Sequence, residues 1–156
     1  MLMKLDDLEV YQISMDLAEK TWTQVIRWSS LQRNTVGTQL VRSMDSIAAN
    51  ISEGYGRYHY KENRHFCYIA RGSLFETATW IKKAFNRQFI SESDYHEFVT
   101  VLRQLSVKLN NYIKSIGRNT NTVKEPPETY PHTPNPDTDL DFLDNDSHEP
   151  QPEDAL

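Results

Sequence analysis

The chain has 156 residues, with 17 Lys and Arg, 22 Asp and Glu and a single cysteine, a size that fits one domain with something left over. One cysteine, Cys67, excludes an internal disulfide and favours a reducing, cytoplasmic setting. No apolar signal region opens the chain and no run approaches ~18 consecutive apolar residues, so neither export nor a membrane span is expected.

The net charge of −5 is unevenly distributed. Residues 1–118 carry 16 basic against 12 acidic side chains, or +4, whereas residues 119–156 carry 1 against 10, or −9. The prolines all lie in the second part and apolar residues are scarce there, so 119–156 reads as a disordered acidic tail. The overall pI near 5.5 therefore describes the tail, and an anionic partner for residues 1–118 stays open.

Within residues 1–118 the elements follow in order. Asp6 or Asp7 is placed to cap a first helix running to about Ser29, with Leu8, Tyr11, Met15, Ala18, Trp22, Val25 and Ile26 inward. Residues 29–34 break the pattern and Thr35 opens a second helix. There Leu40, Met44, Ile47 and Ile51 fall at spacings of four, three and four, which makes one apolar stripe. Beside it runs a polar stripe of Gln39, Ser43, Ser46, Asn50 and Glu53, read either as a face meeting other polar groups or as an ordinary boundary. Gly54 and Gly56 are expected to end this helix after Glu53 by supplying a C-terminal cap and turn.

A third helix spans about residues 61–89, with Phe66, Ile69, Ala70, Ser73, Thr77, Trp80, Ile81 and Ala84 inward. Gly72 in its middle either admits a neighbouring helix or is tolerated at about 1 kcal/mol. Ser91-Glu-Ser-Asp supplies turn and cap residues for a fourth helix to Ile116, which carries Tyr95, Phe98, Val99, Leu102, Leu105, Leu109, Tyr112, Ile113 and Ile116. Gly117 closes it. The fold expected is all-α, an antiparallel up-down four-helix bundle with the tail appended. Alternating strand patterns and solenoid repeats are missing.

The opening LEVYQISMDLA, the Gln39-Leu-Val-Arg-Ser stretch, the run Ser46-Ile-Ala-Ala-Asn-Ile-Ser-Glu-Gly-Tyr-Gly-Arg57, and Phe66 with Ile69-Ala-Arg-Gly-Ser73 and Glu76 carry a resemblance. Over residues 5–116 the chain resembles the bacterial four-helix-bundle proteins typified by the protein encoded in intervening sequences of 23S ribosomal RNA genes. It departs from them before the second helix, where Trp28-Ser-Ser and Thr35-Val-Gly stand in place of a Phe-Pro and a later Tyr-Gly-Leu, and in its acidic tail. The resemblance implies a ring-shaped homopentamer with no established catalytic function. A related group of bundles, accessory proteins of diversity-generating retroelements, forms similar pentamers that bind nucleic acid, an analogy of fold alone.

On that basis Gln39, Arg42, Ser46, Asn50, Glu53, Gly54, Gly56, Arg57, Arg71, Ser73 and Glu76 are candidates for polar contacts within or between protomers. Glu76 has no cation three or four residues away on its own helix, so its partner is expected from another helix, Arg42 or Arg57.

Catalysis and metal binding find little support. Cys67 sits between Phe66 and Tyr68 and reads as a buried structural thiol. His59, His65 and His96 lack the i, i+4 partner that helical metal ligation wants, and His132 and His148 lie in the tail. Asp45, Asn50, Glu53 and Glu76 lack a spacing diagnostic of a metal-dependent nuclease. No catalytic residue, metal or cofactor is assigned.

Nucleic-acid binding has more behind it. Arg57, Tyr58, His59, Tyr60, Lys61, Arg64 and His65 bring cations and aromatics together at the turn into the third helix, a mixture suited to phosphate contact and base stacking. Lys82, Lys83 and Arg87 add charge further along, and a solvated basic rim is the plainer alternative. In the tail, residues 137–146 alternate acids with Leu140, Phe142 and Leu143, a motif that could order on a partner or fold back on the basic turn. The expectation is a non-enzymatic cytoplasmic homo-oligomer whose leading partner is RNA or a nucleoprotein complex. The alternative is a protein–protein scaffold acting through the ring surface or the tail.

Overall fold

The structure is a computed structural model that describes residues 4–117 and 139–144. Four long helices make up the bundle: α1 (Glu9–Val25), α3 (Thr38–Tyr55), α4 (Tyr60–Asn86) and α5 (Glu92–Ser115). The single-turn α2 (Ser30–Gln32) precedes α3. Packing pairs α1 with α3, α3 with α4, α4 with α5 and α5 with α1, so the helices stand at the corners of a square with α1 diagonal to α4. Short connections between them make the arrangement antiparallel, and among the described residues there is no strand. The expected all-α fold is thereby observed.

Helix boundaries differ from expectation where local chemistry offered a better solution. Leu5–Asp7 is a 3-10 turn and Leu8, not an aspartate, is the N-cap of α1; the Asp7 carboxylate instead accepts from the Lys4 backbone N–H at 2.9 Å. α1 stops at Val25, short of Ser29. Ser29 begins the next helical segment through a capping box with Gln32, whose side chain accepts from the Ser29 N–H at 2.9 Å. A π turn over Arg33–Gly37 then leads into α3, with the Thr38 hydroxyl bonded to the Arg33 carbonyl at 2.9 Å.

Two glycines in or beside α3 serve close packing. A Cβ on Gly37 would lie 2.8 Å from Val25 Cγ1. One on Gly54 would lie 2.9 Å from the Asn63 carbonyl oxygen and 3.0 Å from Phe66 Cβ. Gly54 is thus a buried helical residue against which α4 rests, and α3 runs on through Tyr55 to a C-cap at Gly56 with ordinary right-handed φ. Gly72 faces open space, with nothing within 4 Å of a built Cβ.

The core runs the length of the bundle through Leu40, Met44, Ile47 and Ile51 of α3, Leu74 and Ile81 of α4, and Tyr95, Phe98, Leu102, Leu105 and Leu109 of α5. On α5 the expected stripe is the observed one, with Tyr112 half-buried, and Ser91 caps it by accepting from the Asp94 N–H at 3.1 Å. Gly117 closes α5 at φ +81°, the left-handed conformation that favours glycine. Ile69 of α4, expected inward, is exposed, and Phe66, Ser73 and Trp80 are half-buried.

On α1 the expected face is off by one position. Val10, Ser14, Leu17, Ala18, Thr21 and Val25 are buried, while Met15, Trp22 and Ile26 are exposed. Ser14 and Thr21 can be buried because their hydroxyls bond the carbonyls of Val10 and Leu17 at 2.6 and 2.8 Å, which leaves no orphaned donor. Leu140 and Leu143, from the acidic segment, are buried against the bundle. The remainder of the expected disordered tail, residues 119–138 and 145–156, lies outside the described residues.

Candidate nucleic-acid interface and assembly faces

The polar stripe of α3 resolves into separate roles. Ser43 reaches another helix, accepting from the Thr77 hydroxyl of α4 at 3.0 Å with both groups buried. Ser46 and Asn50 turn back on their own helix, bonding the carbonyls of Arg42 and Ser46 at 2.8 and 2.7 Å, as Ser73 does with Ile69 at 3.2 Å. Gln39 is half-buried. Glu53 pairs with Arg57 one turn on, and the Arg57 guanidinium stands 4.7 Å over the Phe66 ring. Arg71 joins α4 to α5 through Asn110 Oδ1 at 3.2 Å and lies 4.8 Å over the Tyr68 ring, so its contact is internal to the protomer.

Glu76 does not pair with Arg42 or Arg57 within this chain. Its carboxylate accepts from the Trp80 indole N–H at 3.3 Å, one turn along α4, a neutral donor that a search for cations passes over. The Ser43–Thr77 bond sets the level: Glu76 is at the height of residue 44 of α3, and Glu53, nine residues on, is about 13 Å away along the axis at 1.5 Å per residue. Glu53 and Glu76 therefore do not converge on one ion, and among the described residues no group of three metal-ligating side chains does. Asp45 faces α1, where burial and then the nearby Glu19 raise its pKa. Cys67 is buried, with its sulfur 3.5 Å from Asn63 Oδ1 and its pKa pushed up to about 12 by desolvation.

At the end of the bundle where α3 hands over to α4, cations and aromatics gather around one short turn. Tyr58 is 92% exposed and Tyr60 half exposed, with Arg57, His59 and Lys61 also exposed. Arg64 is half-buried against the closing turn of α5, where a Cβ on Gly117 would lie 3.4 Å from its Nη2 and 3.6 Å from Tyr60 Cβ. Lys82, Lys83 and Arg87 are at the far end of α4, about 30 Å from Lys61 by the helical rise, and do not extend this cluster. Lys83 stands 4.4 Å over the Trp80 ring, and Lys82 is taken up by the acidic segment.

That segment docks at the far end too. A 3-10 turn, Asp141–Leu143, offers the Leu143 carbonyl to the Tyr95 hydroxyl at 2.5 Å and the Lys82 ammonium at 3.2 Å, while Arg103 pairs with Asp144. The described part of the tail therefore covers the opposite end from the basic turn.

Two outward faces remain. Met15, Trp22 and Ile26 line the outer side of α1, Leu31 of α2 is exposed beyond them, and Trp22 is 53% exposed. A groove of about 440 Å³ lies beside them, bounded by Val25, Arg33, Asn34, Gly37, Thr38, Val41 and Arg42. Diagonally across the bundle, α4 presents Ile69, Gly72 and Glu76.

These features define a small α-helical bundle that keeps apolar surface on helices already packed on their other side, and no helix among the described residues is long and apolar enough to cross a membrane. The sequence model of the 23S rRNA-intervening sequence protein family matches residues 6–111, and the chain belongs to that family. No curated protein matches it.

Proposed function

We propose that the protein is a non-enzymatic bundle that assembles head to tail into a homo-oligomeric ring, a pentamer as the family resemblance implies, and binds RNA or a nucleoprotein through the turn between α3 and α4. The observation that carries the assembly is that α1 is apolar on two faces, one filled by its own bundle and one bearing Met15, Trp22 and Ile26. A solvated helix needs one such stripe.

The second face lies on the diagonal helix α4, so the two surfaces are unlike, as a head-to-tail contact needs, and such a contact gives a ring when the rotation between copies closes. Gly72, open in the protomer, would let the neighbour's α1 approach closely. Arg42 borders the groove and in such a ring would meet Glu76 of the next copy. The RNA reading rests on Tyr58, Tyr60 and Lys61 held at one end, repeated around the ring so that weak contacts add.

Fluorescence anisotropy of a labelled structured RNA with the full chain tests the reading. Binding that weakens with salt, and falls about tenfold in a Tyr58→Ala/Lys61→Glu variant, is the expected result. No binding at low salt would leave a protein scaffold, and binding indifferent to that variant would remove the α3–α4 turn as the RNA contact.

A further inference from the structure

The seat of the acidic segment has the composition of a peptide-binding site. Leu140 and Leu143 stand three residues apart in a 3-10 turn, which places them on one side, and each is 1% exposed. Phe142, between them, is left outside. The last carbonyl of the turn is held by two donors from different helices, Tyr95 Oη of α5 at 2.5 Å and Lys82 Nζ of α4 at 3.2 Å, and Arg103 takes the carboxylate of Asp144 immediately after it. Recognition is complete within Leu140 to Asp144: two apolar anchors, one capped carbonyl and one acid.

The protein side is built in advance. Tyr95 is stacked on Phe85 with centroids 4.2 Å apart and planes at 12°, and this contact within the bundle orients its hydroxyl. Lys82 Nζ lies 5.3 Å from the Tyr95 ring, which holds the ammonium near the same point. A rigid hydroxyl and two cations around an apolar seat match an acidic, leucine-bearing segment in both shape and charge.

We propose that this end of α4 and α5 is a binding site for acidic Leu-x-x-Leu-Asp segments of another protein, and that residues 139–144 are its tethered resident, which such a segment must displace. The contact is confined to a few residues, so the cost of ordering them offsets much of what two buried leucines contribute. Covalent connection to the bundle favours the resident over a free segment of equal affinity. A partner segment with the same anchors and added contacts would replace it. The site stands apart from the RNA reading, whose residues lie at the opposite end.

A labelled decapeptide of residues 137–146 titrated against full-length protein tests this. The wild-type chain is expected to bind it weakly, and a Leu140→Glu/Leu143→Glu chain, whose own segment no longer fits, at least about tenfold more tightly. Adding Arg103→Glu to that variant should weaken the peptide about fivefold and flatten its salt dependence. Leu140 and Leu143 belong to the buried cluster, so retained helical content, rather than an unchanged melting temperature, checks that the variant's bundle stays folded. Equal peptide binding by wild type and the emptied variant, or indifference to Arg103→Glu, would overturn the proposal. So would a fall in assembly mass in the Leu140→Glu/Leu143→Glu chain, which would mean that the segment bridges copies.

Discussion

Thr77 of α4 donates its hydroxyl proton to Ser43 of α3 at 3.0 Å in a place where neither side chain meets water, and Ser43 passes its own to the Leu40 carbonyl at 3.1 Å. This short chain of hydrogen bonds fixes the register of the two most extensively packed helices. Thr77→Val keeps the shape and removes the donor, and should lower stability by about 1 kcal/mol. Combining it with Ser43→Ala should cost less than the sum of the single changes, because both polar partners then leave together. Chemical denaturation of the four proteins in the cycle measures this, and strict additivity would show the bond to be energetically idle.

Two glycines should respond in opposite directions to alanine. Gly54→Ala drives a Cβ to 2.9 Å from the Asn63 backbone oxygen, which cannot retreat without moving α4, so a loss of about 1–3 kcal/mol is expected. Gly72→Ala meets nothing within the protomer and should stabilise an isolated chain by up to about 1 kcal/mol through helix propensity. If the ring brings a neighbour onto Gly72, the same change should weaken assembly. Thermal melting at several protein concentrations separates the two effects.

Burial holds the Cys67 thiol up to about 12, from 9.0 in an unfolded chain. Between those values the folded state keeps a proton that the unfolded state has lost, so stability should fall as pH rises above 9. Below that range the thiol should react with a disulfide reagent only as fast as the chain opens. A native-state rate equal to that of an exposed thiol would show that the residue is accessible.

Asp45 carries a pKa raised first by burial and then by Glu19 across the α1–α3 contact. A raised carboxyl favours the folded state while protonated and disfavours it once ionised, so the sign is a penalty at neutral pH. Asp45→Asn should raise the melting temperature at pH 7 only slightly, because the side chain is largely exposed and solvent screens its charge. The advantage should shrink as pH falls toward 3.8, where wild-type Asp45 is itself protonated. A difference independent of pH would mean that charge is not its source.

The bundle was legible because α3 and α5 each place large apolar residues at one spacing and polar ones elsewhere, so period and face agree. On α1 two adjacent stripes compete, and size favoured Met15, Trp22 and Ile26 over Val10, Ser14 and Thr21. Hydroxyls that bond their own helix look polar in a sequence but bury at little cost, and no periodicity reports that. Gly54 read as a cap because glycine after a helical run signals a stop, whereas its use for a close crossing depends on Asn63 and Phe66. The basic turn was legible as a local cluster, while its distance from Lys82 and Arg87 required the length of α4. Leu140 and Leu143 stood out as apolar residues among acids, yet their seat is made by Lys82, Tyr95 and Arg103, which are far away in the chain.

Light scattering of the purified full chain beside a Trp22→Asp variant tests self-assembly through α1 most directly. Wild type should give a mass about five times 18.2 kDa, and the variant should fall to the protomer mass with its helical content intact, since Trp22 is 53% exposed and adds little to the protomer core. A wild-type chain that runs as an 18.2 kDa monomer, or a Trp22→Asp chain that keeps the wild-type mass, would contradict it.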